Sequence, residues 1–186
     1  MGFLKNIDIS NTGCTVYVET GTGRGISLSK ASNYFDKCFS VDMDPEMVNA
    51  AKTNFPNANI EIGTSVEILE RWLKLNHIDT SESVLFYLDA HFPGADFHGE
   101  VYDVEAPNAV PLQAELDLIK KYRPNSRDLI ICDDARIYMQ GPFENGNVEW
   151  LQVPGGLNFL QTIFPMKNVS VNFGEEGYII IDMRSN

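Results

Sequence analysis

Five short apolar runs recur along the chain, separated by stretches with helical spacing, and chemically active side chains gather where the runs end. The runs are Thr15 to Glu19, Cys38 to Asp42, Asn59 to Ile62, Ser83 to Leu88 and Asp128 to Cys132. Helices are predicted between them over Ile26 to Tyr34, Pro45 to Thr53, Val66 to Leu75 and Leu112 to Tyr122. Pro45 suits a first turn, and Leu112, Leu116 and Ile119 share one face. Strand and helix alternating at this length imply parallel strands joined by right-handed crossovers, an α/β chain. In such a sheet a ligand lies beyond the carboxyl ends of the strands, near the switch in strand order.

The tail departs from this rhythm. A helix is predicted over Leu157 to Phe164. The runs Asn168 to Phe173 and Tyr178 to Asp182 are joined only by Gly174-Glu175-Glu176-Gly177. A link that short joins antiparallel strands. The expectation is one domain over residues 1–186, five parallel strands followed by a C-terminal hairpin.

The first run ends in Glu19-Thr20-Gly21-Thr22-Gly23-Arg24-Gly25. Glycines allow positive φ and let a backbone lie against a ligand. Dinucleotide spacing would put a third glycine at Ile26, so a nicotinamide dehydrogenase is disfavoured. A carboxylate at Glu19 repels pyrophosphate and suits an ammonium or sulfonium. These residues resemble the first motif of class I S-adenosylmethionine (SAM) dependent methyltransferases, E/D-x-G-x-G-x-G, at all four fixed positions. The resemblance runs from about residue 15 to 183. It implies a doubly wound, Rossmann-like sheet of seven strands with only the last antiparallel. It also implies SAM bound by Glu19, Thr20, Gly21, Gly23 and Gly25, with Asp42 on the ribose diol and Met43 against adenine. Thr64 and Ser65 would meet the adenine edge, and Asp89 would also border the cofactor. Asp44, before Pro45, reads as a helix cap, and capping is equally open for Ser65.

Asp89 and the pair Asp133-Asp134 follow runs that are neighbours in the implied sheet. Three carboxylates that close repel one another and raise each other's pKa. A divalent cation relieves this, and oxygen ligands suit magnesium, manganese or calcium, with magnesium the leading expectation. The layout resembles metal-dependent O-methyltransferases of the catechol type and the sugar O-methyltransferases of macrolide and aminocoumarin pathways, at all three metal positions. In the alternative reading Asp89 orients substrate, Asp133 caps a turn and Asp134 pairs with Arg136.

The catechol-type enzymes carry a lysine three residues after the first metal aspartate, where this chain has Phe92. His91 is the nearest substitute as a base, working with Asp89. His98 is a second candidate, and His77 is expected at the surface. Phe92, Phe97, Tyr102, Tyr138, Phe143 and Trp150 are expected either to wall a ring-shaped substrate or simply to cover the sheet. The lead before the first run is short, so the N-terminal lid helices of many relatives are not expected, and oligomeric state stays open.

A net charge of -12, spread without long blocks, argues against gripping nucleic acid. No apolar run is long enough to span a membrane, and Cys14, Cys38 and Cys132 read as buried hydrophobes rather than a disulfide frame. A cytoplasmic enzyme methylating a small-molecule hydroxyl with metal help is the leading expectation. A metal-independent methyltransferase and a non-catalytic SAM-binding module are the alternatives.

Overall fold

The computed structural model describes residue 4 and residues 7–92 and 101–184. Seven strands form one sheet: β1 (Val16–Thr20), β2 (Lys37–Asp42), β3 (Asn59–Ile62), β4 (Val84–Leu88), β5 (Leu129–Cys132), β6 (Val169–Asn172) and β7 (Tyr178–Asp182). Their order is β3-β2-β1-β4-β5-β7-β6. The first five are parallel, and β7 runs antiparallel to both β5 and β6. This is the expected doubly wound, Rossmann-like sheet with its C-terminal hairpin. The strand order reverses between β1 and β4, which puts the crevice between the loop after β1 and Asp89.

Helices α1 (Ile26–Ala31), α2 (Pro45–Asn54), α3 (Ser65–Lys74), α4 (Leu112–Tyr122) and α5 (Leu160–Ile163) complete the chain, with short 3-10 turns. Strand side chains alternate between two cores, as the pleat requires. Val16, Val18, Phe86 and Leu88 join Trp72, Leu69, Leu116 and Ile119 of α3 and α4. Tyr17, Leu85, Tyr87 and Ile131 join Leu28, Ala31, Val48 and Ala51 of α1 and α2. Glu19 therefore points toward α1, and Thr20 toward α3 and α4.

Two helices are shorter than predicted. α1 stops at Ala31 rather than Tyr34, because Ser32 Oγ and Asn33 Nδ2 donate to the carbonyl of Ser29 and compete with the next helical turn. α5 keeps a single turn of Leu157 to Phe164, following Gly155 and Gly156 at φ 80 and 53 and halting before Pro165. The cysteines are free, with Cys38 and Cys132 buried. No helix among the described residues is long and apolar enough to cross a membrane.

Candidate active site at the carboxyl ends of the strands

The loop after β1 is pinned from both sides. The N–H of Gly21 donates to the carbonyl of Val41 on β2, and the N–H of Asp89 donates to that of Thr20. Gly21, Gly23 and Gly25 sit at φ 81, 48 and 72. A Cβ on Gly21 would stand 2.5 Å from the carbonyl oxygen of Asp89, and one on Gly25 would stand 2.8 Å from the Phe55 ring. Two of the three glycines thus have a packing reason to be there: they seat the loop against β4 and α2.

Glu19 lies under this loop with no exposed surface. Tyr17 and Ser27 donate to its Oε2 at 2.9 and 2.7 Å, and Ser40 donates to Oε1 at 2.6 Å. Burial pushes its carboxyl up from the usual 4.5 to about 7, against the pull of the three hydroxyls. Through these bonds the side chain ties β1, α1 and β2 together. At the tip of β2, Asp42 accepts from the N–H of Gly23 at 2.7 Å through Oδ2 and from that of Asp44 at 2.9 Å through Oδ1. Each oxygen keeps a second lone pair for a ligand. Met43 beside it is 42% exposed. Asp44 caps α2 by accepting from Glu46 N–H, as the sequence suggests. The cap of α3 is Thr64 rather than Ser65; Ser65 is the first helical residue and is buried.

The acids after β4 and β5 do converge. The N–H of Asp133 donates to the carbonyl of Leu88, setting the two strand tips side by side. One ligand atom each from Asp89, His91 and Asp133 lies within 4.8 Å of the others. Tyr87 donates to Asp89 Oδ2 at 3.1 Å. Burial first, and then the negative charge of Asp133, hold the Asp89 carboxyl well above the usual carboxylate range; burial also raises Asp133. His91 stands between acids, Nδ1 3.4 Å from Asp89 Oδ1 and Nε2 3.6 Å from Asp134 Oδ2. Asp134 adopts φ 51 and accepts from Arg136 Nε at 2.9 Å, and Phe92 sits at φ 46. Left-handed backbone at non-glycine residues is costly and clusters at functional sites.

A shallow cleft, open to solvent, lies beside this cluster, lined by Leu88, Ala90, His91, Pro111, Leu112, Glu115, Asp133 and Tyr138. The expected aromatic wall divides. Phe92, Tyr102 and Trp150 form an edge-to-face series that ends on an exposed Trp150, Tyr138 reaches the cavity, and Phe143 packs instead against Phe173 beneath the hairpin. Phe97 and His98 lie outside the described residues, and His77 is exposed.

Sequence reasoning missed Glu115 and the hydroxyl ring of Tyr17, Ser27 and Ser40. Glu115 did leave a signal: it falls one turn after Leu112 and beside Leu116, on the apolar face of α4, where a carboxylate is out of place.

The strand order and C-terminal hairpin are those of the class I methyltransferase fold. A crystal structure of a Corynebacterium glutamicum protein, Q8NRD3_CORGL, matches it at a TM-score of 0.58 and 11% identity, covering 95% of this chain and 75% of that one. Spermidine synthase from Thermotoga maritima matches at a TM-score of 0.54 and 12% identity; the chain is 92% covered but spans 53% of the synthase. A TehB-like SAM-dependent methyltransferase from C. glutamicum is a looser match, at a TM-score of 0.45 and 15% identity, covering 91% of this chain and 78% of that one. No protein-family model and no curated protein matches the chain.

Proposed function

We propose that the chain is a SAM-dependent methyltransferase acting on a hydroxyl of a small molecule, with a divalent cation at the tips of β4 and β5. The observation that carries this reading is the trio Asp89, His91 and Asp133, three potential ligand atoms within 4.8 Å across the switch point from the glycine loop and Asp42. SAM would lie over the loop of Gly21, Gly23 and Gly25, its ribose diol on Asp42 and its adenine near Met43, Thr64 and Ser65. Glu19 contributes by holding the loop to β1 and β2.

The donor set fits a cation. Two carboxylates and an imidazole suit magnesium or, better with a nitrogen ligand, manganese. Asp134 keeps Oδ1 on Arg136 and turns Oδ2 toward His91 Nε2. When bound, SAM supplies an electrophilic methyl group and the cation supplies Lewis acidity. The chain itself supplies alignment, which is worth about 7 to 11 kcal/mol in favourable cases. As the methyl carbon leaves sulfur for the acceptor oxygen, that oxygen must lose its proton. Asp89 and the walls of the cavity hold the acceptor for this transfer.

A second reading needs no metal. His91 is placed as a general base, its Nδ1 3.4 Å from Asp89 Oδ1 and its Nε2 3.6 Å from Asp134 Oδ2.

The test is calorimetric titration with SAM and S-adenosylhomocysteine, followed by labelled methyl transfer from SAM to catechol with manganese, magnesium or a chelator. Saturable binding of both and transfer abolished by the chelator are expected. Transfer that survives the chelator selects the His91 reading, and absence of binding by either nucleoside overturns the proposed function.

A further inference from the structure

The cavity beside the carboxylates has a second polar wall that neither cofactor nor cation accounts for. Glu115, on the inner face of α4, is 1% exposed, and its Oε1 has no hydrogen-bond partner among the described residues. The hydroxyls of Ser65 and Thr20 lie behind the carboxyl and pull its pKa down against burial. Leaving a buried polar atom unsatisfied costs about 1–3 kcal/mol. A bound group that donates a hydrogen bond removes that cost. Glu115 reaches the cleft from the first turns of α4, and behind it Thr20 ends β1 and Ser65 starts α3.

We infer that Glu115, with Thr20 and Ser65 at its back, binds the methyl acceptor by accepting a hydrogen bond from a hydroxyl or ammonium other than the reacting one. The inference rests on the reading of this crevice as a methyltransferase site. The cavity places Glu115 in one lining with His91 and Asp133, so an acceptor spanning it meets the cation trio with one group and Glu115 with another. Leu88, Pro111, Leu112 and Tyr138 supply the apolar walls between. The favoured acceptors are therefore compact molecules carrying two neighbouring donors on an apolar frame, such as a diol or an amino alcohol. An acceptor with a single hydroxyl leaves Glu115 unsatisfied and is discriminated against, as buried groups that lose their partner are expensive. Burial lifts the Glu115 carboxyl from the usual 4.5 to about 7, so acceptor binding should strengthen as the carboxyl ionises.

The test uses whole protein labelled with ¹³C at glutamate carboxyls, the Glu115 resonance being assigned by its loss in Glu115→Gln. Catechol, 2-aminophenol and phenol are titrated with and without saturating S-adenosylhomocysteine. The Glu115 resonance should shift saturably with the first two, and Glu115→Gln should weaken their binding about tenfold or more while leaving S-adenosylhomocysteine affinity unchanged. Should Glu115→Gln fail to fold, Glu115→Asp, which also removes the labelled glutamate, supplies the assignment and the wild-type resonance decides. If no probe moves that resonance, or phenol moves it as much as catechol, the inference is overturned. Absence of S-adenosylhomocysteine binding by the wild type overturns the proposed function instead, and leaves the resonance to judge Glu115.

Discussion

The hydroxyl of Ser40 on β2 donates to Glu19 Oε1 at 2.6 Å, linking the tips of two neighbouring strands through a carboxyl that no solvent reaches. Its raised pKa sets a pH dependence. A carboxyl near 4.5 in the unfolded chain and near 7 in the folded one binds more protons when folded between those values. Stability therefore falls as pH rises from about 4.5 to about 7 and then levels, by up to roughly 3 kcal/mol from this group. Urea midpoints at pH 5 and pH 7 should differ less in Glu19→Gln than in the parent. An unchanged difference would show that the Glu19 carboxyl titrates normally.

Gly21 has a different kind of constraint. Its φ of 81 alone makes alanine unfavourable by about 1–2 kcal/mol. The added Cβ would also meet the backbone of Asp89 at 2.5 Å. Gly21→Ala should lower the melting temperature and weaken manganese binding as well as S-adenosylhomocysteine binding, because the overlap displaces the strand tip that carries Asp89. Retention of metal affinity alongside lost nucleoside affinity would mean that the loop moves and β4 does not.

The cation trio makes a prediction that separates His91 from Asp134. His91→Ala should reduce manganese affinity by more than roughly tenfold, and Asp134→Asn, which touches Arg136, should reduce it less. Since the Asp89 carboxyl must lose its proton to ligate, affinity should rise with pH. Calorimetry of the two variants across pH 6 to 8 reads both effects. The opposite ranking would restore a trio of aspartates.

At the far end of the sheet, Arg123 donates to both oxygens of Asp128 at 2.7 and 2.9 Å, and to the carbonyls of Asp79 and Glu82, with both side chains buried. Arg123→Ala strands a buried carboxylate and should cost about 3–5 kcal/mol. S-adenosylhomocysteine affinity well below the melting transition should be unchanged, because the pair lies at the entry of β5 and the site at its exit.

The sequence by itself determined the architecture. Short apolar runs alternating with helical spacing force a parallel sheet, and the five-residue link between β6 and β7 can close only a hairpin. It also determined which acids stand at strand ends, since a residue that follows a strand in sequence follows it in space. Which way those side chains point was decided by tertiary structure. Glu19 falls on the pleat face toward α1, where Tyr17, Ser27 and Ser40 close over it, although its place in the motif resembles a ligand contact. Asp134 turns to Arg136 while His91 turns inward, a choice fixed by left-handed backbone that no residue pattern announces. Glu115 is the clearest case. Its neighbours in sequence make it one polar residue on a helix, and only the packing of α4 against β1 and α3 brings it to Thr20 and Ser65. Local periodicity reports how a segment buries itself, whereas a site is made from contacts between segments far apart in the chain.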